Sequence, residues 1–278
     1  MREINILNLG AGINSTHLYL MGCDGELPMD YAIFADTQEE PPSVYRHIEW
    51  LRGLAGPPIL TGTAGKMGDH LLAGTNSTGG RFASIPAYTR DDDGGDIGRM
   101  RRQCTKEYKI DIVRGIIRRQ IVGLRARQWM PKGTVIVQYF GFALEEQGRA
   151  ARVLLRNRDT PWSEPRFPLI EQGVRRHQSS ALLQERVPHR VGRSSCVFCP
   201  FKSQREWRCL RDSEPAGWER ACEVDEGMRA PGAVYNRGLD QRLYVHRSCR
   251  PLREANLDDG QMVLFDEFRE DCEGGCGT

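Results

Sequence analysis

Two groups of residues have the types and spacing to do chemistry. The first is Gly10-Ala11-Gly12-Ile13-Asn14-Ser15-Thr16, directly after the strand-like run Ile4–Leu9. A strand, a glycine turn and a helix start with hydroxyls make a seat for an anion, phosphate above all. Glycines let the backbone approach, and the first helical amides are unpaired donors at the positive end of the helix dipole. The second group is Cys196-Val197-Phe198-Cys199-Pro200. Two cysteines at this spacing can place both sulfurs on one metal ion or cluster.

A lone pair of cysteines is half a site, because tetrahedral zinc or a [4Fe–4S] cluster takes four ligands. Cys104, Cys209, Cys272 and Cys276 are candidates for the rest. Cys23 and Cys104 stand alone, whereas the other cysteines fall in the last third of the chain. In a reducing compartment such a distribution points to metal or redox positions rather than a disulfide framework. His17, His47 and His246 sit singly and read as packing or surface residues. Asp91-Asp92-Asp93 reads as a solvated loop.

The glycine turn fits three phosphate-loop patterns unequally. A P-loop ends in Gly-Lys-Ser/Thr, and no lysine is present here. A dinucleotide fingerprint needs a third glycine where Ser15 stands, although Asp36 lies at a suitable distance for a ribose acid. The third pattern is Ser-Gly-Gly-x-Asp-Ser/Thr, which the turn approaches with Gly10 for Ser, Ala11 for Gly and Asn14 for Asp.

The elements that must position these residues follow from periodicity. Asp30–Ala35 reads as a second buried strand ending at Asp36-Thr37. Pro41-Pro42-Ser43 starts a helix with Val44, His47, Ile48 and Leu51 on one face, and Pro57–Leu60 is a third short strand. This order predicts an α/β fold: a parallel twisted sheet with helices on both faces. Ligands of such sheets bind beyond the carboxyl ends of the strands, so Gly10–Thr16 and Asp36-Thr37 should face one crevice. Leu72–Gly98 loses periodicity and reads as a lid. Thr105–Gln120 reads as a helix with Ile110, Val113, Ile116 and Ile117 inward. Thr134–Phe140 is a strand, and Glu145–Leu155 and Ser179–Glu185 are helices. Residues 1–185 form the expected nucleotide-binding domain and residues 186–278 a cysteine-rich C-terminal region, its core packed by Trp207 and Trp218.

Composition is that of an ordinary globular protein, 27% charged and 39% hydrophobic. No uncharged apolar run approaches a membrane span, and no signal peptide is visible, so the expected location is cytoplasmic. The net charge of +2 demands no polyanionic partner. Five of the 39 basic residues are lysines, leaving 34 arginines. That bias suits phosphate or nucleic acid, and a GC-rich genome produces it equally well.

Read together, the glycine turn, Phe34-Ala35-Asp36-Thr37 and Cys104-Thr105-Lys106-Glu107-Tyr108-Lys109 resemble the 3′-phosphoadenosine 5′-phosphosulfate (PAPS) reductase family. That family belongs to the adenine nucleotide alpha-hydrolase (PP-loop) superfamily. Gly141-x4-Glu146-x2-Arg149, Pro168-Leu169-Ile170 and Cys196-x2-Cys199-Pro200 extend the likeness over nearly the whole chain, and it is greatest to the phage-encoded branch. The resemblance implies an oxidoreductase or sulfurtransferase. Its adenine nucleotide (PAPS or ATP) would be held by Gly10, Ala11, Gly12, Asn14, Ser15, Thr16, Asp36 and Thr37, with Arg101, Arg102 and Arg149 neutralising further oxygens. It also implies a [4Fe–4S] cluster, with zinc the alternative, on Cys104, Cys196, Cys199 and a tail cysteine such as Cys272. The reductases' acidic-Cys-Gly tail has its counterpart in Cys276-Gly277 or Asp271-Cys272, either supplying the thiolate that attacks sulfur. A thiol reductant protein is then an implied partner.

Two other readings stand beside this one. Relatives of the family thiolate tRNA or DNA, so a nucleic-acid acceptor is the main alternative. Asn14 in place of Asp counts against ATP cleavage. The other is a zinc-stabilised accessory module with a vestigial pocket.

Overall fold

A computed structural model describes residues 2–76, 78–79, 85–91, 94–231, 233 and 241–258. Its strands are β1 (Arg2–Asn8), β2 (Tyr31–Asp36), β3 (Ile59–Thr63), β4 (Tyr88–Arg90), β5 (Gly98–Arg99), β6 (Thr134–Phe140), β7 (Ser163–Arg166) and β8 (Arg242–Tyr244). Five of them form a wholly parallel sheet in the order β3-β2-β1-β6-β7. The chain is therefore α/β, compatible with a Rossmann-like fold, as its alternation of strand and helix patterns predicts.

Period-2 alternation assigns the two faces of the sheet. Ile4, Ile6, Ile33, Ala35 and Ile136 point to one side. Leu7, Leu9, Ala32, Phe34, Val137 and Tyr139 point to the other. The second side is covered by α1 (Ile13–Cys23) and α2 (Pro42–Arg52). Helix α2 buries Val44, His47, Ile48 and Leu51, the four residues its sequence spacing selects. A short helix, α3 (Met67–Leu72), precedes the segment carrying β4 and β5.

The first side is covered by α4 (Asp111–Ile116), continued at each end by a π-helical turn, Lys106–Ile110 and Ile117–Ile121. The wider turn has a local cause. Glu107, Tyr108 and Lys109 are buried in succession, which a single α-helical stripe cannot accommodate. Then come α5 (Gln147–Asn157), α6 (Pro168–Glu171), α7 (Arg176–Arg186), α8 (Gln204–Ser213) and α9 (Pro215–Gly227).

Helix α1 lies between the sheet and α7: Leu18, Tyr19 and Met21 meet the sheet, while Leu20 meets Leu183 and Val187. It runs through Gly22, a residue that reads as a stop in the sequence. It ends at Gly25 (φ +75°), where Glu26 N–H donates to the Met21 carbonyl at 2.9 Å. That is the Schellman pattern, with glycine in the left-handed position.

Strands β5, β4 and β8 form a small antiparallel sheet. It belongs to a second core that joins Met67, Leu71, Ile85, Ala87 and Tyr108 to Cys196, Phe198, Trp207 and Cys222. Trp207 is fully buried and Trp218 packs against the same cluster. Ile85 and Ala87 are thus anchored in a core, which corrects the reading of 72–98 as a lid throughout. Asp92, Asp93, Cys272 and Cys276 lie outside the described residues. No helix among the described residues is long and apolar enough to cross a membrane.

Candidate functional site

In the order β3-β2-β1-β6-β7 the chain reverses direction of build between β1 and β6, the place where open α/β sheets leave a crevice. A cavity of about 510 Å³ opens there on the α4 face, within the size range of small-molecule sites. Asn8 closes β1 into it, and Gln138 and Phe140 come from β6. Arg101 and Arg102 supply positive charge from the segment entering the π turn, while Lys106 pairs with Asp111 at 2.8 Å and Glu107 adds a further carboxylate to the lining. Trp162, Asn157 and Arg156 form the wall towards β7 and α5. Thr105 adds a buried hydroxyl with no hydrogen-bond partner among the described residues.

Asn8 and Val113 also border a void of about 20 Å³ walled by Gly10, Leu9, Ala35 and Lys109. The glycine turn therefore sits next to the cavity, on the far side of the end of β1. Gly12 caps α1 in an extended conformation without a side-chain cap. Ala11 takes φ +60°, a conformation that glycine adopts at less cost.

The hydroxyls of this turn face inward. Ser15 is fully buried and donates to the Gly12 carbonyl at 3.3 Å. Thr16 Oγ1 lies 2.8 Å from His47 Nε2, and His47 Nδ1 lies 2.9 Å from His189 Nε2. Burial presses the His47 pKa down to about 4, so the ring is neutral at pH 7. Gly10, Ala11, Gly12, Asn14, Ser15 and Thr16 are all buried, and none of them lines the 510 Å³ cavity. The turn stands behind that wall with Ser15 and Thr16 bracing it, and the expected direct contact of these residues with a ligand is not what the structure displays.

Asn14 is held through its amide nitrogen, while its buried Oδ1 has no hydrogen-bond partner among the described residues. Its Nδ2 donates to Glu146 Oε2 at 2.9 Å, and the Ala143 N–H donates to the same oxygen at 3.0 Å. Arg149 pairs with Glu146 and lies 4.2 Å over the Phe142 ring, with 1% of its surface exposed. Gly141 presses on the turn so closely that a Cβ there would stand 2.6 Å from Ser15 N. The motif Gly141-x4-Glu146-x2-Arg149 thus clamps the glycine turn from behind. Arg149 is a strut of this clamp and is not on the cavity wall.

The cysteine segment folds back to the carboxyl end of β2. Cys196 Sγ lies 3.4 Å from Thr37 Oγ1, and Val197 N–H donates to the Glu39 carbonyl at 2.7 Å. Ser194 reaches Glu40 Oε2 at 3.3 Å, and Lys109 reaches Glu40 Oε1 at 3.3 Å, in an almost wholly buried pair. Arg102 joins the two regions, since it lines the cavity and stands 5.3 Å over the Phe201 ring, two residues beyond Cys199. Asp36 turns away, accepting from Tyr45 OH at 2.9 Å and from Gln38 N–H at 2.7 Å.

Cys104, Cys196 and Cys199 meet one hydrophobic cluster. Among the described residues, however, no group of three or more His, Cys, Asp or Glu is gathered closely enough to hold a metal. The described donors alone therefore do not fit a [4Fe–4S] or zinc site. Cys222 and Cys249 are buried and Cys23 is half-buried. Burial pushes all three thiol pKa values up, Cys222 to about 12, so these thiols are protonated and unreactive.

The structure brings Arg101 and Arg102 together at the cavity, with Gly10 beside it, and joins Thr37 to Cys196. Sequence reasoning missed Trp162, Asn157, Gln138 and Asn8. Asn8 and Gln138 carried a signal, being polar residues in register with Ile4, Ile6 and Ile136 on one strand face. No protein-family model, curated protein or solved structure matches the chain.

Proposed function

We propose that the chain is a PP-loop-type enzyme that binds an adenine nucleotide in the cavity beside β1 and β6 and reduces or transfers sulfur with cysteine thiols. The observation that carries this reading is the 510 Å³ cavity at the β1/β6 reversal, with Arg101 and Arg102 on its wall. Arginine forks match phosphate oxygens, and each charge-assisted bond contributes about 1.5–3 kcal/mol. Phe140 and Trp162 give the base an aromatic wall. The contact of Cys196 with Thr37, and of Phe201 with Arg102, supports thiol chemistry at the same end of the sheet.

A phosphosulfate suits the site better than ATP as the reactive nucleotide, because Asn14 replaces the acid associated with ATP cleavage and is tied to Glu146. A tail thiolate, from Cys276 or Cys272, would attack the sulfonate sulfur. The sulfur–oxygen bond to the nucleotide breaks, the nucleotide leaves with that electron pair, and a cysteine–sulfonate remains. A second thiol, from a reductant protein, releases sulfite and leaves a disulfide. The reading of the cavity does not require a cluster.

Calorimetry and thermal shift with PAPS, ATP and NAD test the reading. PAPS should bind best, and Arg101→Gln and Arg102→Gln should each weaken it about tenfold or more. If no adenine nucleotide raises the melting temperature, the proposal fails.

A further inference from the structure

We propose that the outer face of α4 with its C-terminal π turn, together with the 122–133 loop, is a docking surface for single-stranded nucleic acid. The inference does not rest on the proposed function, although the surface borders the nucleotide cavity at Arg114. Between Asp111 and Glu145 the chain carries Arg114, Arg118, Arg119, Arg125, Arg127 and Lys132 and no carboxylate, in a protein of net charge +2. Elsewhere arginines are neutralised by carboxylates, as in Arg166–Glu171, Arg211–Asp258 and Arg220–Glu39. Among the described residues none of these six cations forms an ion pair. All are exposed except Arg118, which is half-buried.

Arg118 fixes the loop to the helix end by donating to the Gln128 carbonyl. Arg125 N–H donates to Gln128 Oε1 at 3.0 Å, and Leu124 N–H to the Arg118 carbonyl at 2.7 Å. Held in this way, the loop presents Trp129 with 89% of its surface exposed, while Leu124 of the same loop is buried and Met130 half-buried. An indole standing out among unpaired cations is the arrangement that takes unstacked bases on its face while the cations track phosphates.

Arg127 adds a third sign. Its φ of +63° is a left-handed conformation in which glycine is less strained, yet an arginine occupies it. The surface also continues to the cavity, because Arg114 is both exposed and on the cavity wall. One exposed aromatic amid six cations gives a membrane little apolar area to take up, which favours a polynucleotide over a lipid surface.

Fluorescence anisotropy with the full chain tests the proposal, using a labelled single-stranded oligonucleotide, the matching duplex and anionic phosphatidylserine vesicles as competitors over a salt series. The single strand should bind most tightly. Arg125→Gln, Arg127→Gln or Lys132→Gln should each lower the slope of log K against log salt by about 0.7 per lost phosphate contact. Trp129→Ala should cost about tenfold with the slope unchanged. Arg127→Gly should raise the melting temperature while weakening binding. Nucleotide-induced thermal shifts should stay as in the parent in these variants, so the two proposals fail separately. Absence of binding at low salt, equal affinity for duplex, preference for vesicles, or an inert Trp129→Ala overturns the proposal.

Discussion

Asn14 occupies the point where the glycine turn meets its clamp. Glu146 accepts from Asn14 and Ala143 and pairs with Arg149, so every group around that carboxylate donates to it. Asn14→Asp removes one donor and sets a second carboxylate against the first. The two then share a proton: the folded state binds more protons than the unfolded one, and the penalty shrinks as pH falls. The variant should lose about 1–3 kcal/mol relative to the parent at pH 8 and less at pH 5.5, read from urea unfolding at both. An equal loss at both pH values would show that the introduced carboxyl does not ionise against Glu146. An acid at this position therefore requires a different residue at position 146.

At the scale of elements, the end of β6 sets the position of α1. Gly141 lies against the backbone of Asn14 and Ser15, where neither partner is a movable side-chain tip. Gly141→Ala should cost about 1–3 kcal/mol by overpacking and should also reduce the nucleotide-induced thermal shift. A stable Gly141→Ala chain with full nucleotide response would mean that the turn tolerates displacement.

The same scale shows what could be read from sequence. Helix α2 was legible because it buries one regular stripe, and β1, β2 and β6 because each is a short, mostly apolar run bounded by turn residues and buried on both faces. Helix α1 was legible at its start and not at its end, because it is buried on both sides and shows no stripe for Gly22 to interrupt. Strands β4 and β5 were invisible: each is two or three residues long and their sheet is completed by β8, far along the chain. In the site, Arg101 and Arg102 were legible as cations beside a motif. Trp162 and Asn157 were not, since a cavity wall is made by the meeting of elements rather than by any one of them. Arg149 read as an anion ligand because the sequence does not display its burial or its pairing with Glu146, three residues back, inside the fold.

Across the whole molecule, histidine burial contributes to the response to mild acid. His47 and His246 are pressed down to about 4 by burial, and His17 is lowered for the same reason. Their folded pKa values lie below the unfolded ones, so between about pH 6.5 and 4 the unfolded chain binds more protons and stability is lost as the pH drops. The loss should reach about 2 kcal/mol each for His47 and His246 by pH 5, relative to pH 8. Urea midpoints across that range measure it. His47→Gln and His246→Gln should each flatten the profile, and an unchanged slope would mean that those rings are charged in the fold.

The second core has a consequence for the order in which the protein becomes itself. Met67, Ile85 and Tyr108 wait for Phe198, Trp207 and Leu243 to complete their packing. The segment carrying Arg101 and Arg102 runs through that unfinished layer. A nascent chain emerging from the ribosome thus completes its five-stranded frame while one wall of the pocket still lacks its backing. The proposed nucleotide pocket is then completed late in synthesis, when the final third of the polypeptide closes over what the first third left open.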